Sequence, residues 1–590
     1  MSFETTAGLT PSDGWSGRGA RLLNRLHARL SGLAPPAVAF VSQPEPRTIG
    51  SVARGRQILA GNYMFAGHLV ESEAPSLWDV PMPSLAFEQE LHGFGWLDDL
   101  AAVGDAAARR KAQMWLNDWV RRYGRGRGPA WTPDLTGRRM IRWINHAIFL
   151  LHSQSREASA AYFSSLGHQS VFLSRRWKSA SPGLPRFEAL TGLLYAGLSL
   201  QGMDRHVRPA MRAIAAECRE QIDAEGGIPT RNPEELLEVF TMLTWSAAGL
   251  SEAGQMAARD HVLAIERIAP TLRALRHADG GLARFHGGGR GVTGRLDHAL
   301  AASGVKIAAN AGLSMGYARI SAARTSVIVD AAPPPAPAVS YNAHASTLAF
   351  ELTSGRRPVI VSCGSGLSFG GRWRQAGRAT PLHSTLSIDG FSSSRLGARR
   401  LIRGIERELL LDAPTDVRAR MTRGDEGHAL MLAHNGYGRT HGLSHVRRLE
   451  LSVDGRTLEG EDTLGAMNDA DRRRFDLHLN RNGLDKVGFA IRFHIHPDAE
   501  AELDLGGRAI SIALRSGEVW VFRQTGDGAR LGLEGSVYLE RGRLKPRETR
   551  QVVLRAAVTE YATRVGWTLA KAQDTPSHIR DLERDEMTPI

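Results

Sequence analysis

The stretch SYNAHASTLAFELTSGRRPVIVSCGSG, Ser340 to Gly366, followed by GRWRQAGRATPLHSTLSIDG from Gly371, decides the reading of this chain. Three short runs in it have strand character: Ser346–Leu352, Pro358–Cys363 and Ser384–Ile388. Each alternates or is β-branched, and each closes on Gly or an arginine-rich turn. His344 and His383 stand at the starts of the first and third runs, and Arg372, Arg374 and Arg378 lie in the loop between the second and third. Strand pairing would bring imidazoles and guanidiniums together, an arrangement suited to anion binding or proton transfer.

Beyond this stretch strand signals continue, separated by turn pairs such as Asp454-Gly455 and Gly526-Asp527-Gly528, which is the pattern of an antiparallel β-sandwich. Before it lies AAPPPAPAVS, a polyproline-type spacer at 331–340. Upstream of the spacer the period changes to that of helices, with apolar residues at helical spacing over 87–101, 105–123, 137–153, 157–178, 186–202, 206–224, 233–250 and 255–276. Asn232-Pro233-Glu234-Glu235 is a well-marked helix start, with a cap, a proline at the first position and acids in the first turn. The expected domains are an irregular N-terminal arm (1–85), a helical domain (86–330), the spacer (331–340), a sandwich (341–568) and a charged tail (569–590).

A chain of 590 residues exceeds one ordinary core. Its 42% hydrophobic and 23% charged content is that of a globular protein, and 74 Lys+Arg against 61 Asp+Glu leaves +13. The excess favours acidic partners without choosing among them. No nucleic-acid module or basic-aromatic stripe is present, which sets a nucleic-acid role aside. Two cysteines, Cys218 and Cys363, build no disulfide framework. No run has the length of a transmembrane helix, and no apolar signal region opens the chain, so the sequence itself points to the cytoplasm. Residues 15–33 alternate leucines with arginines and read as a surface helix docked on its own domain, or as one that touches a membrane.

The order AHASTLAFELTSGRRPVIVSCG, RATPLHSTLSIDG, together with DGGLARFHGG, HNGYGRTHGLSHVRRLELS and FAIRFHIHP, resembles the bacterial heparinase II/III family. The resemblance implies an incomplete α/α toroid followed by an antiparallel β-sandwich. It also implies polysaccharide-lyase ancestry, β-elimination on uronic-acid polymers in a cleft between the two domains, and a periplasmic or envelope location. Carried over to this sequence, it makes His344 and His383 the proton-transfer candidates. Zinc, if any metal is held, would be bound by the same two histidines; otherwise no cofactor is required. The family's H-x-H-x-D run reads Asn342-Ala343-His344-Ala345-Ser346 here, and the Asp that ends the next strand in metal-binding members is replaced at Ser362-Cys363-Gly364. The family's Asn-His pair and its catalytic Tyr are also missing: the matching helix reads Gly183-Leu184-Pro185-Arg186-Phe187-Glu188, and no Tyr occurs between Tyr195 and Tyr317.

Arg231, which has no capping duty, is the candidate for the uronate carboxylate, with Arg374 or Arg378 beside it. Asn232, Arg186 and Glu188 are candidates for the ring's inner surface. Trp96 of HGFGWLDDL, and Trp131 with Asp134, Arg138 and Arg139 of GPAWTPDLTGRR, are candidate sugar platforms. The Asn145-His146 pair and the alternating His494 and His496 are weaker candidates, read first as packing groups. Two functions follow: a lyase acting on an acidic polysaccharide, or a lyase fold that has lost its base and binds an acidic glycan or a partner in envelope or capsule assembly.

Overall fold

The computed structural model describes residues 13–572 apart from 35–36, 43–44, 307–311, 403–404 and 425–426. Its N-terminal half is helical: α1 Asp13–Ser31, α2 Val52–Leu59, α3 Leu85–Gly93, α4 Trp96–Val103, α5 Ala106–Tyr123, α6 Pro133–Asn145, α7 Ala147–Leu151, α8 Arg156–Arg176, α9 Leu184–Ser199, α10 Val207–Gln221, α11 Pro233–Glu252, α12 Arg259–Ala274 and α13 Arg295–Ala302. The expected helices are present, with two internal breaks. The run 87–101 divides at Phe94, which adopts φ 59° and closes α3. The run 137–153 starts earlier, at Pro133, and breaks at His146. The later part of GPAWTPDLTGRR, from Pro133, therefore supplies the first turns of α6.

The two inner helices α6 and α9 pack at their glycines. A Cβ on Gly137 would lie 2.2 Å from the Glu188 carbonyl oxygen, and one on Gly192 would lie 2.6 Å from the Gly137 Cα. Only glycine lets two helix backbones approach this closely. Around them the core is aromatic. Trp96, Trp115, Trp119 and Trp143 are fully buried, and Arg139 stacks 4.2 Å from the Trp119 ring centroid. The amphipathic α1 buries Asn24, Ala28 and Ser31 and leaves Leu22, Leu26 and Leu30 exposed. It is tied to α8, where Arg176 donates to Asn24. Both cysteines are buried and unpaired. Among the described residues no helix is long and apolar enough to cross a membrane.

The C-terminal half is two stacked antiparallel sheets. One runs, in spatial order, Arg530–Tyr538, Arg547–Val558, Val487–Ile495, Arg357–Val361, Phe350–Ser354, Thr325–Asp330, Tyr317–Ala322, with Leu386–Ile388 also pairing on Val487–Ile495. The other runs Val417–Gly424, Gly427–Tyr437, Leu443–Ser452, Thr457–Gly465, Ala562–Lys571, Val519–Thr525, Ala509–Leu514, Ala499–Asp504. Phe350, Phe493, Phe522 and Trp567 fill the space between them, Phe350 stacking on Trp567 at 6.0 Å. The sheet begins at Tyr317, before the proline-rich spacer rather than after it. These first two strands, Tyr317–Ala322 and Thr325–Asp330, lie within the span expected to belong to the helical domain. The last strand extends to Lys571, past the expected start of the tail; residues 573–590 lie outside the described residues.

Candidate functional site

His344 and His383 come together, but inside the protein. The expected strand from Ser346 is a turn: the Leu348 N–H donates to the Asp330 carbonyl at 2.8 Å, Leu348 takes φ 63°, and the strand proper starts at Phe350. His344 therefore sits in a buried loop, and both rings are 0% exposed. Their centroids are 5.0 Å apart, and His286, which the sequence reading did not single out, lies 6.1 Å from His344.

Backbone groups set the state of these rings. The Gly287 N–H donates to His344 Nε2 at 3.0 Å, so the His344 proton is on Nδ1, which has no partner among the described residues. The His344 N–H donates to His286 Nδ1 at 3.1 Å, leaving the His286 proton on Nε2, 3.4 Å from Asp330 Oδ2. His383 Nδ1 pairs with the Ser362 hydroxyl at 3.1 Å. Burial holds His344 well below the usual imidazole range and lowers His383 to about 4. The cluster is a set of neutral imidazoles.

Arg231 is enclosed in the same region. It adopts φ 50° just before the α11 cap and turns its side chain toward the spacer. Nε donates to the Met315 carbonyl (3.1 Å), Nη1 to those of Ala332 and Pro333 (3.2 and 2.6 Å), and Nη2 to the Gly316 carbonyl (2.9 Å) and Asp330 Oδ1 (2.6 Å). A guanidinium has five N–H donors, and all five are spent. Asp330 also accepts from Ser346 at 2.7 Å, and Arg231 and His286 hold its carboxyl far below the usual range against the opposing effect of burial. Ser346, the position of the family's Asp, thus serves a carboxylate that comes from a different strand.

The other candidates are dispersed. Arg378 is 1% exposed and donates to the carbonyls of Ala343, Glu408 and Ser340. Arg374 donates to the Tyr341 carbonyl at 3.3 Å. Arg186 pairs with Glu217 at 2.9 Å. Asn232 is the α11 cap, accepting from the N–H groups of Glu234 and Glu235. Trp96 and Trp131 are buried and donate to the Leu91 and Tyr123 carbonyls, so neither is a sugar platform. His146 pairs with Asp98 at 2.9 Å, and His494 is satisfied by Ser536 and the Pro381 carbonyl. Glu188 is buried too, its Oε1 2.7 Å from Arg138 Nε, whereas His146 lines a cavity together with Asn145 and Asp98.

The loop DGGLARFHGG is a clasp between the halves. Arg284 Nε and its N–H reach the two Glu351 oxygens at 3.1 Å, His277 Nε2 lies 3.2 Å from the same carboxylate, and Arg284 also touches the Tyr538 hydroxyl. Arg284 and His277 hold Glu351 at about 2. The residues present do not fit zinc: Arg231 occupies Asp330, the Gly287 N–H occupies His344 Nε2, and no group of three or more His, Cys, Asp or Glu among the described residues is placed to hold a metal.

A helical ring joined to stacked antiparallel sheets, with buried imidazoles where the two meet, defines a polysaccharide-lyase-like architecture. The pattern described as Heparinase II/III-like, C-terminal, matches residues 305–568. FtsZ-localized protein C of Caulobacter vibrioides is 30% identical over 95% of this chain and 94% of its own length. Among solved structures, heparinase III superposes with a TM-score of 0.68 at 12% identity, covering 95% of this chain and 90% of that one. The heparan sulfate lyase HepC mutant from Pedobacter heparinus gives 0.56 at 15%, covering 95% and 89%. The chain belongs to the heparinase II/III-like family.

Proposed function

We propose that this protein is a non-catalytic member of the heparinase II/III-like family, a binding protein working with the FtsZ-based division apparatus, as the name of its Caulobacter relative suggests for that protein. The observation that carries the reading is the spent guanidinium of Arg231, whose five donors are taken by Asp330 and four backbone carbonyls. With His344 and His383 also enclosed, the three groups cast for β-elimination are all buried. A lyase must bring a carboxylate-neutralising group, a base and an acid to one sugar ring.

The competing reading is elimination on a uronate polymer, which the fold accommodates. Two assays on the full chain separate them. Incubation with a panel of uronic-acid polymers is expected to give no ultraviolet absorbance of unsaturated product, and sedimentation with FtsZ polymers is expected to carry the protein into the pellet. Product formation that disappears in His383→Ala would overturn the proposal.

A further inference from the structure

The second sheet of the sandwich has two edges, and they carry opposite charge. Among the described residues it has eight strands, with Val417–Gly424 at one end and Ala499–Asp504 at the other. Each of these two strands pairs with one neighbour, so the backbone N–H and C=O groups on its far side make no ladder bonds. In the first, VRARMTRG, Val417 and Met421 pack onto the core, and Arg418 and Arg420, at the alternate positions, are exposed on the other face. In the second, AEAELD, Ala499 and Ala501 pack onto the core, and Glu500, Glu502 and Asp504 are exposed on the other face. Arg418 pairs with exposed Asp416 at 2.8 Å. Arg420, Glu500 and Glu502 have no ion pair among the described residues.

Charged edges keep sheets from joining, but here they do so selectively. Two copies meeting through the same edge would set arginine against arginine or glutamate against glutamate, which is unfavourable across a strand pair. A basic edge meeting an acidic edge sets opposite charges against each other. The topology fits the same pairing. Successive strands across the sheet are antiparallel, and with an even number of them the two end strands run in opposite directions. A second copy set beside the first in the same orientation therefore continues the antiparallel alternation. That placement also keeps Met421 and Ala501 on the core side and brings Arg418 and Arg420 onto the same face as Glu500 and Glu502.

We infer that the chain associates with a second copy of itself, the Val417–Gly424 edge of one copy adding to the Ala499–Asp504 edge of the next. The contact is heterologous. It uses a different surface on each copy and leaves one edge of each kind free, so it extends head to tail instead of closing a symmetric dimer. Strand addition of this kind draws its affinity from main-chain hydrogen bonds and its selectivity from side chains. It uses neither the buried imidazoles nor Arg231, and it goes beyond the proposed function.

Sedimentation velocity of the full-length chain over a range of concentrations tests this. At low salt the native sedimentation coefficient is expected to rise with concentration, and to rise less at high salt, which screens exposed charges. Arg418→Glu with Arg420→Glu makes both edges acidic, and Glu500→Arg with Glu502→Arg makes both basic. All four positions are exposed, so both variants are expected to keep the native urea midpoint. Each variant alone is expected to associate about tenfold more weakly than the native chain. Mixed in equal amounts they are expected to regain association, because the acidic Val417–Gly424 edge of one now meets the basic Ala499–Asp504 edge of the other. A native coefficient independent of concentration at low salt, undiminished association in either variant alone, or variants that stay apart when mixed would overturn the inference. A monomeric chain that still sediments with FtsZ would sink this inference while leaving the proposed function standing.

Discussion

At the scale of the residue, Arg231 is the group whose role changes most between sequence and structure. A free arginine before a helix start is a sound candidate for binding a carboxylate, and this one does bind a carboxylate, that of Asp330. Removing one partner of a buried pair strands the other charge. Arg231→Ala is expected to destabilise the protein by about 3–5 kcal/mol in denaturant unfolding, and Arg231→Met combined with Asp330→Asn is expected to recover part of the loss. Equal stability of Arg231→Ala and the native chain would disprove the lock. What hid it is long range: Arg231, Ala332 and Asp330 meet only because the spacer folds back onto α11, and no local pattern encodes that return. The approach of His344 to His383 was expected, but not by the route that brings it about: His344 lies in the turn before Phe350–Ser354, and Leu386–Ile388 pairs with Val487–Ile495 rather than with that strand. Their enclosure was not legible, because His286 arrives from a loop with no strand or helix period.

The imidazoles also set a pH window. His344 and His383 are depressed, the latter from about 6.5 to about 4. Between these values the unfolded chain binds the proton and the folded one does not, so stability falls as pH falls, by up to about 1.4 kcal/mol per pH unit for each ring. Asp330 and Glu351 are depressed carboxylates, whose contribution is intact above the ordinary carboxylate range near 4 and lost below it. Urea midpoints are expected to drop between pH 6.5 and 4, and His383→Gln is expected to flatten that slope. A midpoint independent of pH across the window would contradict neutral, buried rings.

At the scale of the element, the contact of α6 with α9 places Arg138 beside Glu188. Helical period was readable and the helices were found, although α6 starts at Pro133, ahead of the expected 137. The crossing was not, because it depends on Gly137 meeting Gly192, and glycines within helical runs read only as weak points. A Cβ at 137 meets backbone, which cannot rotate away. Gly137→Ala is expected to cost about 1–3 kcal/mol by overpacking, against the small gain an exposed helix shows for the same change. A stabilised Gly137→Ala protein would mean that the helices can separate freely.

At the scale of the whole molecule, the two halves are joined by groups that each half needs buried. Arg231 of the helical domain neutralises Asp330 of the sheet, Arg284 neutralises Glu351, to which His277 is also hydrogen-bonded, and Arg319 of the first strand donates to the carbonyls of Ala274 and Arg276 at the end of α12. Separating the domains would leave Asp330 and Glu351 as unpaired charges on a newly exposed face and break donors to backbone carbonyls at the same moment. Inter-domain interfaces are often loose enough for independent motion, but a junction built on interlocked charges couples the two cores. Calorimetry of the full chain is therefore expected to show one unfolding transition. In Arg284→Met with Glu351→Gln, which loosens the clasp while leaving both hydrophobic cores intact, the transition is expected to broaden or divide. Two well-separated transitions in the native protein would show instead that the toroid and sandwich fold as independent bodies, and that the buried charges stabilise each side without joining them.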